Sequence, residues 1–189
     1  MQVRYAALVT SSILLQSCGA GEAGNDDMRA AVEHYQQDTT DQLKGIQPCE
    51  LLTIEEIAAQ VDLSIEPSQR AAKHAKGVKH NIETAAQLTG IWPKCVVTWR
   101  SVTADGNQVG RGEFNILVMT ADQLKMLEQL DRRATVEGVG DEAFYHENAP
   151  YARVGNVAVG IVEFPDTYGD QTQGAVELLR AAIGRLPRS

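Results

Sequence analysis

Two short turn signals constrain this chain more than any other feature. Asp105-Gly106-Asn107 separates residues 95–102, rich in β-branched side chains and Trp, from residues 112–120, where Phe114, Ile116 and Val118 alternate. Gly155-Asn156 separates residues 151–154 from 157–164, where Val157, Val159 and Ile161 alternate. Gly, Asn and Asp accept the positive φ of tight hairpin turns, so each pair of segments reads as an antiparallel hairpin.

Helical periods flank the hairpins. Thr53-Ile54-Glu55-Glu56 is a capping box, in which the threonine hydroxyl accepts the N3 amide and the glutamate reaches back. Ile54, Ile57, Ala58 and Val61 then recur at helical spacing, which predicts a helix over 53–62 with that stripe inward. Leu124, Leu127 and Leu130 predict a second helix over 121–130. A wide stripe from Ala175 to Leu186 predicts a third over 171–186, ended by Pro187. A helix over 28–43, carrying Met28, Val32 and Tyr35, is interrupted in this reading by Asp38-Thr39-Thr40-Asp41. Residues 64–90 show neither period. Helices and hairpins succeed one another without long crossovers, so the expected class is α+β: an antiparallel β-sheet built from hairpins and packed with three to four helices.

The N-terminus reads as an address. Arg4 precedes eleven uncharged residues, Tyr5 to Leu15, which form the n-region and h-region of an export signal. As a helix that run reaches only about 16 Å, roughly half of a bilayer's hydrocarbon core. Leu15-Gln16-Ser17-Cys18 follows and resembles the bacterial lipobox, whose cysteine is acylated and becomes the mature N-terminus. Residues 1–17 are therefore a lipoprotein signal peptide, and Cys18 is the lipidation site through which the protein meets its membrane. Small, polar residues 18–27 suit a flexible tether, and residues 28–189 form one globular domain. Gly19, rather than Asp, follows the cysteine, which by analogy with Gram-negative lipoprotein sorting directs the protein to the outer membrane.

Export also decides the reading of the remaining thiols. Cys49 and Cys95 form an even pair in an oxidising compartment, and a disulfide between them is the economical arrangement. Closing that loop of about 47 residues stabilises the fold by about 4 kcal/mol in the chain-entropy picture. Free thiols and a metal site with His74 and His80 are the rival readings; the spacing lacks the close pairs that metal sites use.

The whole chain of 189 residues has 17 Lys and Arg against 25 Asp and Glu, a net charge of −8. Removing residues 1–17 takes away one arginine and no acid, leaving −9. Such a balance repels phosphate backbones, so nucleic acid is not an expected partner. Against that background Arg70, Lys73, Lys76 and Lys79, with His74 and His80 among them, reverse the sign locally. They are the candidate partner-binding residues, for an acidic protein or an anionic envelope polymer; the alternative is a solvated face that balances nearby acids.

Pro48-Cys49-Glu50-Leu51-Leu52-Thr53, Cys95 with Trp99 in a strand, and Gly138-Val139-Gly140-Asp141-Glu142-Ala143 occur in that order. The set resembles the exported envelope lipoproteins grouped as domain of unknown function number 3558, with coverage from about Pro48 to Leu186. Three residues separate Cys95 from Trp99 here, where the family more often has one. The resemblance implies a lipid-anchored envelope protein and carries no reaction with it.

No residue set reaches a named reaction. Glu50, Glu55 and Glu56 flank a helix N-terminus, where acids favour the dipole. Asp141, Glu142, His146 and Glu147 form the densest group of catalytic residue types, but a glycine turn with Asp141 capping it and Phe144 packed inward explains them as well. Gly110-Arg111-Gly112 lacks the context of a phosphate loop. Neither GxSxG nor HExxH occurs, and no Ser, His and Asp set stands out. The expected function is thus a noncatalytic cell-envelope lipoprotein binding a protein partner or small ligand, with no cofactor and no metal. The alternative is a small periplasmic hydrolase or metal-dependent enzyme using the 141–147 loop.

Overall fold

Six strands form one antiparallel sheet in the order β1-β2-β3-β6-β5-β4. They are β1 (Lys79–Thr89), β2 (Trp92–Val102), β3 (Gln108–Thr120), β4 (Glu142–His146), β5 (Ala149–Val154) and β6 (Val157–Val162). Three helices lie wholly within the described residues, α1 (Ile54–Leu63), α2 (Ala121–Leu130) and α3 (Gln173–Gly184), and further helical residues occur at 33–42 and at 70–74 among those described. A short 3-10 turn at Pro48–Glu50 precedes α1. This is the expected α+β architecture, and both expected hairpins are present, β2–β3 and β5–β6. The computed structural model describes residues 30, 33–35, 37–39, 41–63, 70, 73–74, 76–89, 92–130, 134–165 and 173–187. The signal segment, Cys18, the tether, Met28 and Val32 lie outside these. The chain divides into a unit ending at His34 and one from Tyr35 to Ser189, and the sheet belongs to the second.

Strand alternation gives the sheet two different faces. On one, Cys95, Val97 and Trp99 of β2, Phe114, Ile116 and Val118 of β3, and Val157, Val159 and Ile161 of β6 make the main core. Ile57 and Val61 of α1 and Leu178, Leu179 and Ala182 of α3 close over them. On the other face Met119, Ala158, Tyr151 and Phe144 form a smaller cluster under Leu124 of α2. α2 sits on β3, β5 and β6. The same face of β1, β2 and the first half of β3 is lined by polar and charged side chains around an open cleft.

Local chemistry fixes the helices. The Thr53 amide donates to Glu56 Oε2 at 2.8 Å and the Glu56 amide to Thr53 Oγ1 at 3.2 Å, so the capping box forms as read. Ile57 and Val61 are fully buried, whereas Ile54 is exposed. A second box opens α2: the Thr120 amide donates to Gln123 Oε1 at 2.9 Å and the Gln123 amide to Thr120 Oγ1 at 3.3 Å. Just past α3, Arg185 donates to Leu51 O and to Glu56 Oε1, tying the end of that helix to the start of α1. Cys49 and Cys95 are disulfide-bonded, with their Cα atoms 5.0 Å apart, which joins the 3-10 turn to β2.

Three expectations are corrected. Residues 37–39 and 41–42 are helical, and the Leu43 amide donates to Thr39 O, so Asp38, Thr39 and Asp41 are helical residues rather than an interruption. Part of the patternless 64–90 region is β1, an edge strand whose residues 83–88 are exposed on both faces, so no apolar alternation marks it. Residues 142–146 are β4, the opposite edge, rather than part of a loop.

Candidate functional site

At the start of the 141–147 segment, Asp141 and Glu142 spend their carboxylates on the fold, while Glu147 stays exposed. Gly138 and Gly140 take positive φ, and a Cβ on Gly140 would stand 2.4 Å from Arg153 O, so only glycine fits there. The Asp141 amide then donates to Arg153 O at 2.7 Å, and its carboxylate accepts the Gly155 amide at 2.8 Å, which holds the β5–β6 turn. Glu142 lies 3.6 Å from Arg153. Phe144 is buried, as expected. The His146 ring packs edge-on to Tyr151, 6.2 Å between centroids. Burial raises the Tyr151 hydroxyl to about 12, with a smaller push from Glu147.

The basic segment is partly internal as well. Asp62 of α1 gathers it: Arg70 Nε lies 3.7 Å away, His74 Nε2 3.0 Å and His80 Nε2 3.6 Å. Lys73 Nζ donates to Val109 O at 3.2 Å. Lys76 and Lys79 remain exposed. Of the four candidate partner-binding cations, two therefore serve contacts inside the domain. His80 Nδ1 also meets Ser101 Oγ at 2.8 Å, so a hydroxyl, an imidazole and a carboxylate do lie in series. Ser101 has no exposed surface, and a nucleophile must reach its substrate. The series instead ties α1 to β1 and β2. No group of three or more metal-ligating side chains occurs among the described residues.

What that internal support positions is the β2–β3 pair. The register shifts between Ser101 and Val102, so Val109 is the extra residue of a bulge, and its carbonyl is the one Lys73 meets. A bulge changes which side chains share a face. Beyond it, Arg100 stands directly opposite Arg111, and Thr98 opposite Glu113. Across the other edge of β2, Asn81 pairs with Arg100 and Glu83 with Thr98. The six side chains line one open cleft of about 540 Å³. It carries a row of two guanidinium groups beside a row of two carboxylates. Among the described residues, neither arginine nor either glutamate makes an ion pair or a side-chain hydrogen bond. Like charges directly opposite one another weaken a sheet, while Glu83 and Glu113 stand on the diagonals of Arg100, within reach of its long side chain.

No family model, curated protein or solved structure matches this chain. Geometry and chemistry alone carry the reading of the cleft. No helix among the described residues is long and apolar enough to cross a membrane.

Strand register, which local sequence patterns do not fix, is what brings the cleft residues together. Counting outward from the Asp105–Asn107 turn by the innermost pair, Val102 with Gln108, puts Arg100 opposite Gly110 and sends Arg111 to the core face. The signal that corrects the count is Gly110 and Gly112. The Trp99 ring lies against both, and a Cβ on Gly112 would come within 2.7 Å of it. Two glycines that accommodate one inward tryptophan must themselves face inward, which turns Arg111 outward.

Proposed function

We propose that this protein is a noncatalytic, lipid-anchored envelope protein that binds an envelope partner or small ligand through the open face of β1, β2 and β3. The observation that carries the reading is the cleft with its four unpaired charges. Ligand sites run to about 300–1,000 Å³ and are mostly apolar; this cleft has the volume, at about 540 Å³, but a charged and polar lining, which suits a charged ligand. The lipid anchor rests on the Arg4 to Cys18 segment, and the grouping with the exported lipoproteins on the three motifs given above. The disulfide accords with an exported protein, because such bonds persist in oxidising compartments.

The test is retention from an envelope extract by the full chain against a variant with Glu83, Arg100, Arg111 and Glu113 all changed to Gln. All four side chains are solvent-exposed, so the variant should fold. Retention of a component by the wild type and its loss in the variant supports the reading. Equal retention by both overturns it.

A further inference from the structure

We infer that the cleft binds a dipeptide-sized zwitterion, its carboxylate at Arg100 and Arg111 and its ammonium at Glu83 and Glu113. This rests on the open-face binding reading and names the ligand class for the same site.

Charge balance comes first. The cleft offers two positive and two negative groups, so it has no preference for a polyanion or a polycation. It favours a ligand that is neutral overall but whose charges are separated. The separation follows from register. Arg100 and Thr98 are two residues apart on β2, and Glu83 and Glu113 flank Thr98 on either side. At about 3.3 Å per residue the two rows stand roughly 6.6 Å apart. An extended peptide of two residues spans at most about 7 Å. Side chains stand roughly perpendicular to a sheet, so a dipeptide is the peptide whose two ends best match the spacing of the rows.

The side chains suit the roles. Arginine presents a planar fork that matches a carboxylate with two parallel hydrogen bonds, and such charge-assisted bonds are the strong ones. A pair of glutamates accepts the three protons of an ammonium group. Thr98, between the two glutamates, adds a hydroxyl at the ammonium end. The ligand also relieves the like-charge opposition: a carboxylate between Arg100 and Arg111 turns an opposed pair into two attractive contacts.

The experiment is calorimetric titration of the full chain in detergent with Ala-Ala, N-acetyl-Ala-Ala, Ala-Ala amide, alanine and Ala-Ala-Ala. Ala-Ala should bind best, with each capped form weaker by roughly tenfold or more, the scale of one charge-assisted interaction. Arg111→Gln should bring Ala-Ala down to the level of its amide, and Glu113→Gln down to the level of its acetylated form. Equal binding of Ala-Ala and both capped forms overturns the proposal. So does no binding at about 10 mM dipeptide, where a millimolar site is largely filled. Sedimentation velocity adds a third arm: a dimer that the same two variants dissociate makes a second copy the occupant, and overturns the dipeptide. If Ala-Ala fails while the four-glutamine variant still loses its envelope component, the dipeptide falls and open-face binding stands. If neither depends on these residues, both fall.

Discussion

Gly160 on β6 lies directly opposite Tyr151 on β5, and the space above it is filled by the tyrosine ring. A Cβ added at Gly160 would come within 2.4 Å of Tyr151 Cε1 and 2.5 Å of Cδ1. The ring cannot swing clear, because Tyr151 is buried, stacks on Phe144 at 6.3 Å and belongs to the cluster under Leu124. Gly160→Ala is therefore an overpacking change and should cost about 1–3 kcal/mol. The same substitution without the ring should have the opposite sign, since alanine is favoured over glycine in a strand by about 0.5–1 kcal/mol. Tyr151→Ala alone should cost about 3 kcal/mol or more, by analogy with other aromatic truncations, within the 5–15 kcal/mol of an ordinary domain. Urea unfolding of the four proteins, followed by circular dichroism, measures the coupling, expected at about 1.5–4 kcal/mol. If Gly160→Ala costs the same in both backgrounds, within the roughly 0.5 kcal/mol of simple additivity, the ring is not what excludes a side chain there and the reasoning fails.

Reducing the Cys49–Cys95 bond should lower stability by about 4 kcal/mol, and unfolding midpoints with and without reductant that coincide would refute it. The hydrogen bond from Arg185, followed by the capping contacts of Thr53, holds the Glu56 carboxyl below its ordinary 4.5. A depressed carboxylate stabilises the fold above the unfolded-state value, and that stability is lost as pH falls through the folded one. Glu56→Gln should thus flatten the fall in stability below about pH 4.5, and an unchanged pH profile contradicts this. Detergent partitioning tests the anchor: Cys18→Ser should leave the membrane fraction, and equal membrane association would rule out lipidation at Cys18.

Legibility followed burial and local hydrogen bonding. The 53–56 capping box, the 105–107 and 155–156 turns and the Phe114-Ile116-Val118 alternation are short-range signals, and each marks the element it implies. β1 left no such mark, since Glu83, Thr84, Ala85 and Ala86 are all exposed at the edge of the sheet and alternation appears only where one face is buried. β4 was hidden behind Gly138 and Gly140, whose turn was read correctly while the five-residue strand after it was not. The cleft was less legible still. Arg100 and Arg111 are eleven positions apart, and one bulge residue decides whether a count outward from the turn sets them opposite each other. Asp62 and the basic segment are likewise separated in sequence, so the same cations that read as a surface patch include two that bond inward.

The Cys49–Cys95 bond also sets a mechanical load path. Tension entering from the N-terminal side reaches Cys49 and passes through the sulfurs to Cys95, near the start of β2. The chain between those cysteines, which includes α1 and β1, is bypassed by that covalent path. β2 receives the load while paired on both sides, along its whole length with β1 and from Lys94 onward with β3. A tug on the N-terminal side therefore enters the sheet at β2 by a covalent route that bypasses Asn81 and Glu83, the β1 side of the cleft.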